Sequence, residues 1–229
     1  LGIEVSLLAT VGNDPDGDFL LEVLRREKVD TSLVERVDTP TSKSTIVISG
    51  DSRTIMVKPE RVAPKRRDLS QVDWLHVDHF GAEVIGSWGI TRGVGPKLSI
   101  DIGYPVANLK SSDFDIYAPS EKITNDVSTA AQDRNWVVIS HGERGSAYSD
   151  GSQSGRAPAF EVDLVSTLGA GDVFHGALLA ARIWGREIAS AVKFANAVAA
   201  LSCRGLDGYS TVPSRQEAEE FIASMKVSI

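Results

Sequence analysis

The chain has 229 residues, 42% of them hydrophobic and 24% charged, with a formal net charge of −7. This composition excludes a disordered or low-complexity chain and fits one large domain, or one domain with a small appendage. The acidic balance argues against a nucleic-acid partner, which would want a basic face. No apolar run approaches the ~18 residues needed to cross a bilayer, so no membrane partner is expected and the chain reads as soluble and cytoplasmic. Its single cysteine, Cys203, cannot form an intramolecular disulfide, and in an Ala-rich helical stretch it reads as a small buried hydrophobe.

In chain order, residues 3–11 form an apolar run ending at Gly12, the pattern of a buried strand. Asp14 is placed to cap a helix that opens with Pro15, and Phe19, Leu20, Val23 and Leu24 follow at helical spacing. Residues 33–37, 42–49 and 54–57 are short β-prone pieces, the last two separated by a Gly50-Asp51 hairpin signal. They are expected to form a small antiparallel sheet. A basic connector over 58–67 leads to short apolar strands at 74–77, 98–100, 114–117 and 137–140, whose alternation with helical or polar stretches implies a parallel α/β sheet. The C-terminal third reads as helices over 172–184, 187–202 and 214–225. In the second of these Ile188, Ala191, Val192, Ala195, Val198 and Ala199 form the buried stripe.

The most informative stretch is Ser166-Thr167-Leu168-Gly169-Ala170-Gly171-Asp172-Val173-Phe174-His175-Gly176-Ala177. Gly169, Ala170 and Gly171 carry almost no side chain, so their N–H groups can approach an anion at the positive end of the following helix. A carboxylate in that turn suits a base for a hydroxyl that attacks a phosphoryl group. On chemistry alone, Asp172 is equally well read as a helix cap. A second small-residue turn, Ser140-His141-Gly142-Glu143-Arg144-Gly145, follows an apolar strand and is read either as a ligand turn or as a plain hairpin. Neither turn is a P-loop, because no Gly-Lys-Ser/Thr occurs, and neither follows the first strand as a dinucleotide fingerprint does. His76, Asp78 and His79 lie at a strand end, but strand alternation splits them between faces, which disfavours a shared metal. Asp78 and His79 remain candidates for the substrate side. His175 is assigned to packing, and Trp74, Trp136 and Trp184 to the core or its edge.

These residues resemble the ribokinase-like (PfkB) carbohydrate kinases. Residues 166–177 are similar to the family's Asp-Thr-x-Gly-Ala-Gly-Asp signature, which implies that Asp172 is the catalytic base and that Gly169, Ala170 and Gly171 form the anion hole. Residues 11–17 with Val29-Asp30-Thr31 resemble the strand and helix leading into the family's β lid, and residues 41–57 resemble the lid. Residues 140–145 resemble the nucleotide-binding turn, giving Ser140, Gly142 and Gly145 that role. Phe194-Ala195-Asn196-Ala197 resembles a helix in which Asn196 borders the adenine pocket. Three departures stand out. Ser166 replaces an Asp tied to a monovalent-cation site, so K+ is not carried over. The family's Asn-x-x-Glu motif is matched only by Ser120-Glu121, leaving Glu121 as a contact to Mg2+ through a bound water. An upstream strand, Gly-Gly substrate loop and helix are not matched, and the stretches 82–91 and 122–130 look short for crossovers.

The resemblance thus implies an α/β fold, a three-layer sandwich with a mostly parallel central sheet and a small antiparallel β lid. Residues 1–32 and 59–229 would form the core and 33–58 the lid, with the N-terminal part of the family fold absent. The implied activity is ATP-dependent phosphorylation of a hydroxyl on a sugar or sugar acid, with ATP and Mg2+ and a homodimer joined through the lid. The run Gly-Asp-Val-Phe-His-Gly-Ala-Leu is similar to sulfofructose kinases. A nucleoside or vitamin-like alcohol kinase, or a catalytically degenerate ligand-binding regulator, are the alternatives.

Overall fold

The computed structural model describes residues 1–49, 52–58, 61–106, 108–128 and 135–225. The chain divides into two units, Ile3–Arg67 and a larger one made of Leu1–Gly2 with Asp68–Ile229. Among the described residues no helix is long and apolar enough to cross a membrane.

The smaller unit contains β1 (Thr10–Gly12), α1 (Pro15–Arg26), β2 (Glu35–Val37), β3 (Lys43–Ser49) and β4 (Ser52–Lys58). As expected, Asp14 caps α1 and Pro15 opens it, while Arg25 and Arg26 sit in the last turn where the helix dipole favours cations. The Asp14 carboxylate accepts hydrogen bonds from Gly17 N (2.8 Å), Thr41 N (2.7 Å) and Thr41 Oγ1 (2.6 Å). It therefore ties the start of α1 to the chain entering β3.

Two expectations for this unit are corrected. Residues 33–37 do not join the antiparallel pair: β2 pairs in parallel with β1, in the register Thr10↔Glu35 to Gly12↔Val37. The opening run is not a strand buried along its length. Only Thr10–Gly12 is a strand, Ser6 makes one bridge to Asp30, and Val5 is 51% exposed. A three-residue partner can cover only part of a nine-residue run. With β1 paired to β2, residues 3–32 group with the hairpin segment in one unit. The hairpin strands β3 and β4 pair antiparallel from Lys43↔Lys58 to Ser49↔Ser52; the expected turn residues Gly50 and Asp51 lie outside the described residues.

The larger unit is built on β5 (Trp74–Val77), β6 (Lys97–Ile102), β7 (Ile116–Pro119), β8 (Trp136–Ser140), β9 (Ser146–Ser149) and β10 (Ser154–Ala157). The sheet order is β10-β9-β8-β7-β6-β5, with β5 to β8 parallel and the last two strands antiparallel. Helix α2 (His79–Ser87) joins β5 to β6, and the C-terminal helices are α3 (Ala170–Ile183), α4 (Ile188–Ser202) and α5 (Arg215–Ser224).

Strand alternation sorts the side chains into two faces. Ile116, Ala118, Trp136 and Val138 pack with Phe174, Ala177, Leu178 and Ala181 of α3 and with the apolar residues of α4. Leu98, Ile100, Ile102 and Val77 pack on the opposite face with Ile85 of α2. The result is helix, sheet and helix in three layers. Helix α4 is buried beyond the expected stripe, since Phe194 and Ala197 are also fully enclosed. It touches α3, α5, β9 and β10 together. Each fully buried Leu, Ile, Val or Phe contributes ~1.5–3 kcal/mol, so this face supplies much of the unit's stability.

The hydrogen bonds from Thr41, aided by that from Gly17, hold the Asp14 carboxyl down to about 2. The usual unfolded value is ~3.9, so the carboxylate stabilises the fold above pH ~4 and loses that contribution as the pH falls towards 2. Asp14→Asn is therefore expected to melt below wild type at neutral pH, with the gap closing in that acid window. Thermal melts followed by circular dichroism at pH 7, 4 and 2.5 check this; a gap independent of pH would contradict it.

Candidate active site

Helix α3 begins without a side-chain cap. Its N-cap is Gly169, at φ +74 in the left-handed region, with no side-chain cap hydrogen bond among the described residues. The Ala170 N–H donates to Thr167 O at 3.3 Å, yet fourteen residues of aligned peptide dipoles still turn their positive end towards this run of small residues, which is the physical make-up of an anion site. Gly169 has a structural reason beyond its φ. A Cβ there would lie 3.1 Å from Gly208 O, and one at Gly208, itself at φ +78, would lie 2.5 Å from Leu168 O. At Gly171 an added Cβ would meet no atom within 4 Å, so that backbone faces open space.

Asp172 is the third residue of the helix, and the cap position belongs to Gly169. The reading of Asp172 as the cap is thereby set aside. Its carboxyl is raised above the ordinary carboxylate range, first by crowding from protein atoms and then by the negative charge of Asp101, while His175 acts in the opposite sense. Asp172 and His175 share one face of α3 at i, i+3.

The sequence reading missed Asp101. Its Oδ1 lies 3.0 Å from Nε2 of His175, an imidazole only 5% exposed. His76 on β5 stacks towards His175 at 6.2 Å between ring centroids, and its Nδ1 lies 3.0 Å from Ser99 Oγ. His76 is reachable by solvent yet closely surrounded, as a side chain on a cleft floor would be. Crowding first, and the neighbouring His175 second, lower its pKa to about 4, so it is neutral at physiological pH. The signal for Asp101 was present in β6: Leu98, Ile100 and Ile102 alternate with Ser99 and Asp101, and a polar face on a central parallel strand needs a reason. His175, assigned to packing, is Asp101's partner.

Asp78 and His79 stand at the carboxyl end of the same β5. Asp78 caps α2, accepting from Gly81 N at 2.7 Å, and the His79 ring meets Tyr104 edge-on at 5.9 Å.

The second cluster forms at the carboxyl ends of β7 and β8. Ser140 ends β8 and bridges Ser120. Gly142 (φ +58) opens a single 3-10 turn that closes at Gly145 (φ +83). A Cβ at Gly145 would come within 2.1 Å of Ala157 O, so the turn is pressed against the chain leaving β10. Glu121 accepts from Nδ1 of His141 at 3.2 Å and pairs with Arg144; the His141 hydrogen bond and then Arg144 hold its carboxyl below the usual range. Asn196, 7% exposed, has both amide donors taken by Ala157 O (3.0 Å) and Pro158 O (3.1 Å), and its oxygen accepts from Ser146 Oγ at 2.8 Å. Asn196 thus ties the end of β10 and the start of β9, the strands that frame the turn, to the helix.

A family model described as pfkB family carbohydrate kinase matches residues 1–97 and 110–215. The chain belongs to the pfkB family of carbohydrate kinases. Ribokinase of Bacillus subtilis is 27% identical over 245 residues, covering 97% of this chain and 83% of the relative. A 5-dehydro-2-deoxygluconokinase of Clostridium botulinum is 22% identical over 277 residues, covering 99% and 80%. Among solved structures, ribokinase of Thermotoga maritima superposes with a TM-score of 0.76 at 23% identity, covering 95% of this chain and 81% of that one. An E. coli candidate ribokinase II in complex with ATP and Mg2+ gives 0.78 at 19% identity, covering 98% and 84%. These likenesses show that the three-layer sandwich of this pfkB-family chain is ribokinase-like.

Among the described residues no group of three or more His, Cys, Asp or Glu side chains could hold a metal ion. That donor set fits Mg2+ as an ion carried mainly on nucleotide phosphates and waters, the usual arrangement in kinase sites. Glu121 is oriented by His141 and Arg144, both of which meet its Oε2.

Asn196→Asp is nearly isosteric but turns an amide donor into an acceptor facing two carbonyl oxygens. It is expected to destabilise the larger unit by ~1–3 kcal/mol, the cost of orphaned buried polar groups, read as a lower midpoint in denaturant. An unchanged midpoint would show that the Ala157 and Pro158 carbonyls need no partner.

Proposed function

We propose that the chain transfers the γ-phosphoryl group of ATP to a hydroxyl of a sugar or sugar acid, with Asp172 as the general base. The observation that supports this best is a carboxyl of raised proton affinity on the third residue of a helix that opens from a small-residue turn with no side-chain cap at Gly169. In this reading the acceptor hydroxyl gives its proton to the Asp172 carboxylate as its oxygen attacks the γ-phosphorus. The N–H groups at Gly169, Ala170 and Gly171 stabilise the charge that builds on the phosphoryl oxygens as the bond to ADP breaks. The backbone over Ser140 to Gly145 lines the nucleotide, held in place from below by Asn196. Bound Mg2+ neutralises phosphate charge, with Glu121 as its water-mediated contact. Asp78 and His79 face the acceptor from the end of β5. ATP as donor suits a cytoplasmic protein.

Two variants test the site together. Asp172→Asn is expected to keep the fold and ATP affinity while kcat falls by ~10²–10⁴-fold. Gly171→Val adds a side chain whose Cβ would meet no atom beyond its own helix within 4 Å, so the fold should persist while the obstructed donors cost ~10²–10³-fold in kcat. An ATP-consumption assay over sugars, sugar acids, sulfosugars and nucleosides provides the readout. Wild-type turnover by Asp172→Asn would remove the base assignment, and by Gly171→Val the anion hole.

We further propose a homodimer joined through β3 and β4. Directly opposed residues share a face, so Ile46, Ile55 and Val57 lie on one side of this hairpin and Val47 and Met56 on the other. Val47, Ile55, Met56 and Val57 are each about half exposed, more apolar surface than a two-stranded sheet keeps in water. Sedimentation at micromolar concentration should show a dimer that Ile55→Lys with Val57→Lys converts to monomer; a wild-type monomer removes the claim.

A further inference from the structure

The pair of half-buried Asp101 and buried His175 lies by the proposed base without being needed for any step described so far. His175 is one helical turn from Asp172 on the same face of α3, within reach of its carboxylate. Instead its Nε2 is directed to Asp101 Oδ1 on β6 at 3.0 Å, and its buried Nδ1 has no hydrogen-bond partner among the described residues. The imidazole is thus held from one side only, by a carboxylate on a different element.

We propose that Asp101 and His175 are a positioning pair for Asp172: Asp101 fixes the imidazole towards β6, so that the base keeps a free carboxylate and stands next to a second negative charge. The inference rests on Asp172 being the proton acceptor. A carboxylate clamped by a neighbouring cation is a poor base, whereas one facing a like charge holds a proton more tightly.

The charged and titratable groups around this centre come from four elements. They are Asp101 on β6, His76 on β5, Asp78 and His79 at the start of α2, and His175 on α3 itself. His76 is neutral above its pKa of about 4, so it adds no charge near pH 7. Burial opposes ionisation of Asp101, yet the hydrogen bond and charge of His175, with smaller help from His76 and His79, keep its carboxyl below the usual range. Asp101 is therefore negative when Asp172 titrates, and it pushes Asp172 up while His175 pulls it down. The two members of the pair thus act on the base in opposite directions.

The test is a titration of the aspartate γ-carboxyl carbons by 13C NMR on the full chain, with the Asp172 signal assigned from its loss in Asp172→Asn. In the wild type Asp172 should titrate above the ordinary carboxylate range, and the Asp101 and Asp172 curves should each carry the other's step, as coupled sites do. Asp101→Asn keeps an acceptor for His175 but removes the charge, and should move the Asp172 midpoint down. His175→Asn should move it up. An Asp172 midpoint unchanged in Asp101→Asn overturns the proposal. So do independent single-step curves in the wild type, a measurement that needs a variant only to assign the Asp172 signal. An active Asp172→Asn enzyme alongside coupled curves would instead reject the base assignment and leave the coupling standing, so the two failures are distinguishable.

Discussion

Helix α3 has little freedom to slide along the sheet. Phe174, Ala177, Leu178 and Ala181 are each at most 4% exposed against strands β7 and β8 and against α4. Three of the four contacts are with small or branched side chains at native packing density, where a shift of a fraction of an ångström opens a void or forces a clash. The N-terminus of the helix is therefore set by the packing of its middle. Asp172 and His175 inherit their positions from residues that do no chemistry, and the Asp101–His175 contact checks that placement from β6.

The carboxyl ends of parallel strands are where an open α/β sheet leaves its backbone ends and loops free for ligands. Here Asp78 follows β5, Asp101 nears the end of β6, Glu121 follows β7 and Ser140 ends β8. A chain of net charge −7 that brings three carboxylates to this rim does not attract an anionic nucleotide through its overall field. Attraction must come from local donors. The positive end of α3 is where the proposed site would find them, and Asp78 and Glu121 are engaged by a cap and an ion pair respectively.

Much of this was legible from periodicity. The strand at 74–77 and the helices at 172–184 and 187–202 appear close to the expected bounds, because long apolar stripes and short β-branched runs report burial directly. The strand expected at 114–117 runs instead from Ile116 to Pro119; Phe114 is buried against α2's side of the sheet just before pairing begins, and its hydrophobicity mimicked the strand start. What sequence patterns could not show was pairing between segments distant in the chain. Residues 33–37 look equally suited to a lid strand or to β1, and only the parallel register with Thr10–Gly12 decides. The hydrogen-bond partners of Asn196, 38 to 50 residues away, were likewise invisible. The α3 turn was the most readable part of the candidate site, since three small residues before an acidic helix start constrain the backbone through sterics alone.

The crossing of Gly169 and Gly208 has a consequence for how this protein can vary. Each glycine occupies a left-handed φ, and each would drive a Cβ towards the other's backbone strand of the loop. Most tight contacts between two residues can drift by compensation, one side chain shrinking as its neighbour grows. This pair has nothing left to shrink. Random mutagenesis at both codons should thus return glycine at both, with no covarying substitutes, and the loop carrying Gly208 would be tethered to the α3 turn through any divergence of the residues around it.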